Sequence, residues 1–396
     1  MAAPTTNEKK KVSSNSSYIP DDISFSILAK LPAKSLKRFC CVRKSWSLLF
    51  ENPNFINMFR NNLISKSHPL FDDSCIFANH YLSSSYNWNV YLLSGDKFEN
   101  KIKLDLPSFH IPHFGYEPHV LGSAINGILC IYNLVEVTHS LLWNPATNEV
   151  KVIPPGFAEV KRECSTRISL HGFGYDNVRH DYKVIRHVNY YTRNRFSYHF
   201  INLDSFWEIY ELKSNSWRKI NFDMPTIALT HNCDVYFDGV CHWWGVTNTL
   251  VSFNLSNEEY FITPPPLDLE HITSYDFDFF KGGYDFDVML TLLNGCVAII
   301  TNKRLATTFQ VSILGEFGVK ESWIKLFDVQ QMSCTIYPLG VGKKGNIFFK
   351  TKDGELVCLD LITGLIEEID LKINKYYRCE VVIYKRNLQP IGEINN

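Results

Sequence analysis

Apolar residues recur along this chain with two periods, and the change of period divides it. From Tyr18 to Phe55 the steps are three and four residues, the spacing of a helix face. Ile23, Ile27, Leu28 and Leu31 form one stripe behind Asp21 or Asp22, either of which suits a helix N-cap, and Pro32 ends it. A second helix beginning near Ala33 turns Leu36, Phe39 and Cys40 inward. After a short break Val42, Trp46 and Leu49 continue the stripe until Asn52-Pro53 stops it. The pattern predicts three short helices.

From about His68 the period becomes two, and the chain repeats itself. The segments "LLWNPATNEVKVI" (141–153), "EIYELKSNSWRKI" (208–220), "VSFNLSNEEYFIT" (251–263) and "VCLDLITGLIEEI" (357–369) superpose without gaps. Trp143, Tyr210, Phe253 and Leu359 then align, and so do Val150, Trp217, Tyr260 and Ile366, with turn-forming residues between. Each copy is a β-hairpin. Looser copies centre on Tyr91, followed by Phe98, and on Val311, where an insertion puts Trp323 in the equivalent place. A second kind of strand pair alternates with these, in 72–82, 126–133, 172–188, 234–246, 285–301 and 343–352. That makes four strands per unit. The centres at 91, 143, 210, 253, 311 and 359 are spaced by 52, 67, 43, 58 and 48 residues, near the ~50 of kelch-type blades. A six-bladed β-propeller is predicted, with the apolar run 377–386 placed to close the first blade. The fold class is α+β multidomain: a disordered tail over 1–17, a three-helix module over 18–63 and an all-β propeller over 64–396.

Composition adds a few exclusions. Forty basic residues against 41 acidic ones create no global field for nucleic acid or an anionic membrane. No run of about 18 apolar residues occurs and the first 17 residues are polar, which predicts a protein of the cytoplasm or nucleus with no membrane partner. Eleven scattered cysteines fit reduced thiols rather than a disulfide framework. A unit of about 45 residues cannot bury all the apolar groups of the helical module, so part of its stripe wants a partner. Seven basic residues (Lys30, Lys34, Lys37, Arg38, Arg43, Lys44, Arg60) against three acidic ones (Asp21, Asp22, Glu51) suggest that this partner is acidic.

Pro20-Asp21-Asp22, Ile27-Leu28, Leu31-Pro32, Lys34-Ser35-Leu36, Arg38-Phe39, Cys41-Val42, Lys44-Ser45-Trp46 and Asn52-Pro53-Asn54-Phe55 resemble the F-box of plants. "LLWNPATNEVKVIPP", "GFGYDNVRHDYKVIR", "IYELKSNSWRKI" and "ESWIKLF" are similar to the F-box-associated domain of plant proteins, the S-locus F-box group included. No kelch double-glycine pattern repeats per blade, so kelch describes the architecture only. The resemblance implies a substrate-recognition subunit of a Skp-cullin-F-box (SCF) ubiquitin ligase. Its F-box would dock on a Skp-family adaptor carried by a cullin scaffold, and its propeller would bind a target protein. The residues facing the adaptor would be Pro20, Ile23, Ile27, Leu28, Leu31, Pro32, Leu36, Val42 and Trp46. The target itself is not implied.

Chemistry of other kinds is sparse. His110 with His113, and Cys241 with His242, lack the four-ligand spacing of a zinc site, and no metal or cofactor is expected. "GFGYDN" and "GVGKKGN" lack the spacing of nucleotide-binding loops and read as turns. Asp276, Asp278, Asp285 and Asp287 do not follow a calcium-loop spacing and read as a solvated loop. Two less strand-like insertions, 106–119 and 189–200, are candidates for recognition. In the second, Tyr190, Tyr191, Arg193, Arg195, Phe196 and Tyr198 have the Tyr/Arg chemistry of interface hot spots and would contact a target protein. The same chemistry stacks on single-stranded RNA, and an ordinary blade strand with exposed alternation is the plain reading. A propeller lectin or enzyme carrying an F-box, and a decoy that binds the adaptor without joining a ligase, stay open beside the ligase reading.

Overall fold

The computed structural model describes residues 19–42, 44–65, 74–82, 87–107, 118–133, 140–157, 164–193, 200–226, 234–245, 249–266, 288–302, 308–330, 335–342, 345–373 and 379–392. Three helices come first: α1 (Asp21–Leu28), α2 (Ala33–Phe39) and α3 (Pro53–Ser65). Pro20 and Pro32 occupy the N-cap positions of α1 and α2. Asp21 and Asp22 therefore do not cap α1; they lie in its first turn, where their charge suits the positive helix end. The third helix also departs from the expectation. Beyond Val42 the described residues form turns and two short 3₁₀ segments, Lys44–Trp46 and Leu49–Glu51, and Asn52-Pro53 opens α3 rather than stopping a helix. The Asn52 side chain accepts the backbone N–H groups of Asn54 and Phe55, and Pro53 takes the first helical position, where no N–H is needed.

Six four-stranded antiparallel sheets follow, each a propeller blade. Blade 2 spans 118–152, blade 3 spans 165–220, blade 4 spans 234–263, blade 5 spans 288–330 and blade 6 spans 335–372, each running from its inner strand to its outer one. Blade 1 is composite: Ser74–Leu82, Asn87–Ser94 and Asn100–Leu104 are joined on the inside by the C-terminal strand Cys379–Lys385, with Phe77 opposite Val382. That is the predicted closure, and it leaves the ring without an open edge.

The repeat seen in the sequence is the hairpin of third and outer strands, and its regularity has physical causes. Asn144, Asn254 and Asp360 stand at the same position after the third strand, and each accepts backbone N–H groups of the turn that follows. The indole N–H groups of Trp217, Trp243 and Trp323 donate to the carbonyls of Pro154, Pro225 and Pro264, fastening each blade to the connection that precedes it. Asp238-Gly239 and Asn294-Gly295 close two-residue turns with positive φ at both positions.

One expectation about the glycines fails. "GFGYD" is not a turn but part of the innermost strand of blade 3, Ser165–Asp176. A Cβ at Gly172 would stand 2.7 Å from the Cβ of Cys241 in blade 4, and one at Gly174 would meet Leu255 and Tyr236, so glycine lets the two blades approach closely.

The helical module sits on the propeller. Leu28, Ala29, Ala33, Leu36, Leu49, Phe55, Phe59 and Ile64 share one apolar core with Met289, Leu293, Val311, Ile324 and Val341 of blades 5 and 6. No helix among the described residues is long and apolar enough to cross a membrane.

Candidate functional site

The docking of the helices sorts the nine residues expected to face an adaptor. Ile23, Ile27 and Val42 are exposed at 49%, 56% and 70%, and Pro20 and Pro32 are exposed with them. Ile19 and Leu48, absent from the expected set, are exposed as well. Leu31 and Trp46 are half-buried and pack against the shared core, Trp46 edge-to-face with Phe39. Leu28 and Leu36 belong to the interior, exposed at 4% and 0%, and are removed from the surface set. Helical spacing places Leu28 beside Ile27, but it does not say that a second domain covers one side of the stripe.

The basic surplus is also partly consumed within the molecule. Lys34 and Arg38 hold Glu316 of blade 5 at 3.1 and 2.8 Å, and their hydrogen bonds keep its carboxyl below the usual range. Lys37 stands over the Phe50 ring and Arg60 over Phe327. At least these four of the basic residues have partners inside the chain, which weakens the inference of an acidic partner.

Strand order gives the propeller two unlike faces. Turns from inner to second strand and from third to outer strand emerge on one side, and none exceeds eight residues between the strands described. The helices dock on this turn face: Asn294 donates to the Leu63 carbonyl, Ile64 lies against Gly345, and Ala33 against Gly315. Connections between blades leave from the opposite side; four of them span 105–117, 153–164, 221–233 and 264–287, up to 24 residues, and two are short, 331–334 and 373–378. This loop face is turned away from the helices.

Blade 3 reaches furthest toward the loop face, with strands of 12, 13 and 12 residues. The insertion 189–200 is largely this hairpin: Asn189 to Arg193 end one strand and Phe200 begins the next. Tyr190 is not displayed for contact, since it is 3% exposed in a small cluster with Ile168 and Val188. Tyr191 is half-exposed, with the Arg167 guanidinium 5.3 Å from its ring centre. Arg193 ends the strand, and Arg195, Phe196 and Tyr198 lie outside the described residues. The insertion 106–119 likewise ends in structure, as Pro118 and His119 begin the inner strand of blade 2 and His119 is buried. The run Asp276 to Asp287 lies outside the described residues.

A family model for the F-box associated beta propeller domain matches residues 86–383. The chain belongs to that family. Among relatives of this F-box protein, F-box protein CPR1 of Arabidopsis thaliana is 25% identical, over 96% of this chain and 91% of the relative. Protein SUPPRESSOR OF NIM1 1, also of Arabidopsis thaliana, is 26% identical over 62% of this chain and 59% of its own. F-box/WD-40 repeat-containing protein 1 of the same plant is 26% identical, over 62% and 54%. The three N-terminal helices are the F-box, and the six blades are its associated domain.

Sequence reasoning missed the buried polar groups of this F-box protein. Lys183 and Asp176, both closed to solvent, pair at 2.8 Å, and Lys183 also donates to the Leu255 carbonyl of blade 4. Burial opposes the charge on Asp176, but hydrogen bonds from Lys183, Ser256 and two backbone amides hold its carboxyl well below the usual range. Arg186 meets Glu208 at 2.6 Å beneath the Trp217 ring, and Glu208 accepts the Phe157 amide. Each of these charges is paired, and they tie neighbouring elements together rather than facing a cleft. Asp234, by contrast, lines the central channel, and its place at the head of an ordinary alternating strand gave no signal in the sequence.

Proposed function

We propose that this F-box protein is the substrate-recognition subunit of an SCF ubiquitin ligase. Its F-box binds a Skp-family adaptor, the adaptor connects it to a cullin scaffold, and the loop face of the propeller holds a target protein. The observation that carries this reading is the apolar surface of Ile23, Ile27 and Val42, which remains uncovered although the other side of the same helices is sealed against blades 5 and 6. Large apolar side chains left exposed beside a shared core are what a docking partner would cover.

The geometry suits the task. With the F-box on the turn face, a target held on the loop face projects away from the adaptor, and the common core fixes the distance between them. Ubiquitin transfer in such an assembly gains its rate from proximity, so this chain supplies binding and orientation and no catalytic group. Tyr191 and Arg193 mark the blade 3 end of the proposed target surface. The cytoplasm or nucleus is its proposed place of action.

The test is adaptor binding by the full chain and by Ile23→Asp/Ile27→Asp. Each isoleucine buried at an interface contributes about 1.5–3 kcal/mol, so the double variant should lose at least ~100-fold in affinity. Both positions are exposed, so its thermal unfolding should match that of the wild type. A folded wild type that does not bind a Skp-family adaptor refutes the assignment.

A further inference from the structure

The six inner strands enclose a channel of about 960 Å³, and its basic residues gather at one end, where Asp238 also stands. Lys385 and Arg386 stand at the turn-face end, where the strand Cys379–Lys385 finishes. At the loop-face end the inner strands begin, and there the wall carries Asp234 and Glu380. Glu380 is occupied: its Oε1 lies 2.5 Å from His119 Nδ1, and its Oε2 accepts the Val120 amide. Asp234 is not. Its Oδ1 is shut off from solvent and accepts no hydrogen bond, and no basic side chain among the described residues pairs with it. Burial pushes its carboxyl well above the usual range, with nothing opposing the shift.

Asp234 and Glu380 both line a recess of about 30 Å³, walled also by Tyr132, Gly122, Leu339 and Val382. That is room for one water molecule or one –NH₃⁺ head, and too little for a guanidinium. Asp234 and Leu339 line both the recess and the main channel, where Met289, Leu290 and Val381 form an apolar wall suited to a chain of methylenes.

We propose that the recess at the loop-face mouth of the channel binds the primary ammonium of an alkylamine, either a lysine side chain or a free amine. Asp234 supplies the anion, Glu380 the remaining acceptor lone pairs, and the Tyr132 ring a face of negative charge. An ammonium favours the ionised form of the Asp234 carboxyl, which burial disfavours, so binding releases a proton wherever that carboxyl is protonated in the free protein, and over that range affinity rises with pH. This inference is independent of the ligase reading, because a chain that fails to bind an adaptor can still bind an amine.

Titration calorimetry on the full chain tests it with four probes: Nα-acetyl-lysine methylamide, its norleucine counterpart, the arginine counterpart and n-butylamine. Saturable binding is expected for the lysine amide, for butylamine, or for both, with none for the norleucine or arginine compounds. Binding of the lysine amide alone assigns the site to a peptide side chain, and equal binding of butylamine assigns it to a free amine. Asp234→Asn should weaken binding at least tenfold and abolish its rise with pH. Its melting temperature should equal or exceed that of the wild type, because a buried unpaired carboxyl is removed. Asp234→Ala serves as the second variant if the asparagine protein does not fold. The proposal is overturned if neither amine saturates, if norleucine matches lysine, or if a folded Asp234 variant binds unchanged; the recess then holds only a water.

Discussion

Two buried histidines weaken this propeller in acid. His171 lies between the rings of Trp207 and Trp243, with Nε2 at 2.6 Å from the Thr226 hydroxyl, and burial together with the nearby His187 pushes it down to about 3. His242 is fully buried beside Phe317, with Nδ1 at 2.9 Å from the Ser252 hydroxyl, and burial pushes it likewise to about 3. Both are therefore neutral in the folded protein at every pH above about 3, while in the unfolded chain they charge below about 6.5. The unfolded state binds more protons in that window, so stability falls as pH drops from about 6.5 towards 3. The slope is about 1.4 kcal/mol per pH unit for each histidine. Urea denaturation of His242→Gln between pH 6 and pH 4 should show a slope shallower by that amount. An unchanged slope would mean that His242 charges within the fold at no cost.

Among the elements, what the sequence made legible was whatever depends on local spacing. Three of the hairpins share a turn whose amides are held by Asn144, Asn254 or Asp360, and that local chemistry recurs visibly along the chain. Closure by 377–386 followed from counting strands. The start of α3 was misjudged because Asn-Pro breaks a preceding helix and opens a new one with equal ease, and only the amides of Asn54 and Phe55 decide which. Burial imposed by distant parts of the chain was not legible: Leu36 and Tyr190 looked like contact residues, and Gly172 like part of a turn. Gly172 also yields a test. The inner strand of blade 3 reaches Cys241 with no room for a side chain, so Gly172→Val must part blades 3 and 4. A cost of about 1–3 kcal/mol is expected, measured by urea denaturation. Cys241→Gly in the same chain should recover part of it, because both atoms that a new side chain meets, the Cβ at 2.7 Å and the Sγ at 2.8 Å, are removed. Failure of that rescue would show that the blades are not in contact at this point.

At the scale of the molecule, the question is what holds the F-box at a fixed angle to the propeller. The ion pairs of Lys34 and Arg38 with Glu316 lie at the surface, and exposed pairs of this kind contribute little. The shared core does more. Leu36 is 0% exposed, Ile64 rests on Gly345, and Phe55 and Phe59 stack within a cluster that continues into blades 5 and 6. Separating the two parts would expose this apolar surface on both, so neither is expected to remain folded when the other unfolds. Leu36→Ala should accordingly cost about 2–4 kcal/mol and lower the propeller's transition along with the helices'. Helix content can be followed by far-ultraviolet dichroism, and propeller packing by fluorescence of indoles such as Trp143, Trp207 and Trp243, all buried in the blades. Coincident, equally shifted transitions from both probes are the expected result. A helical transition that moves alone would show an F-box hinged on its propeller, and the fixed distance from adaptor to target on which the proposed geometry relies would be lost.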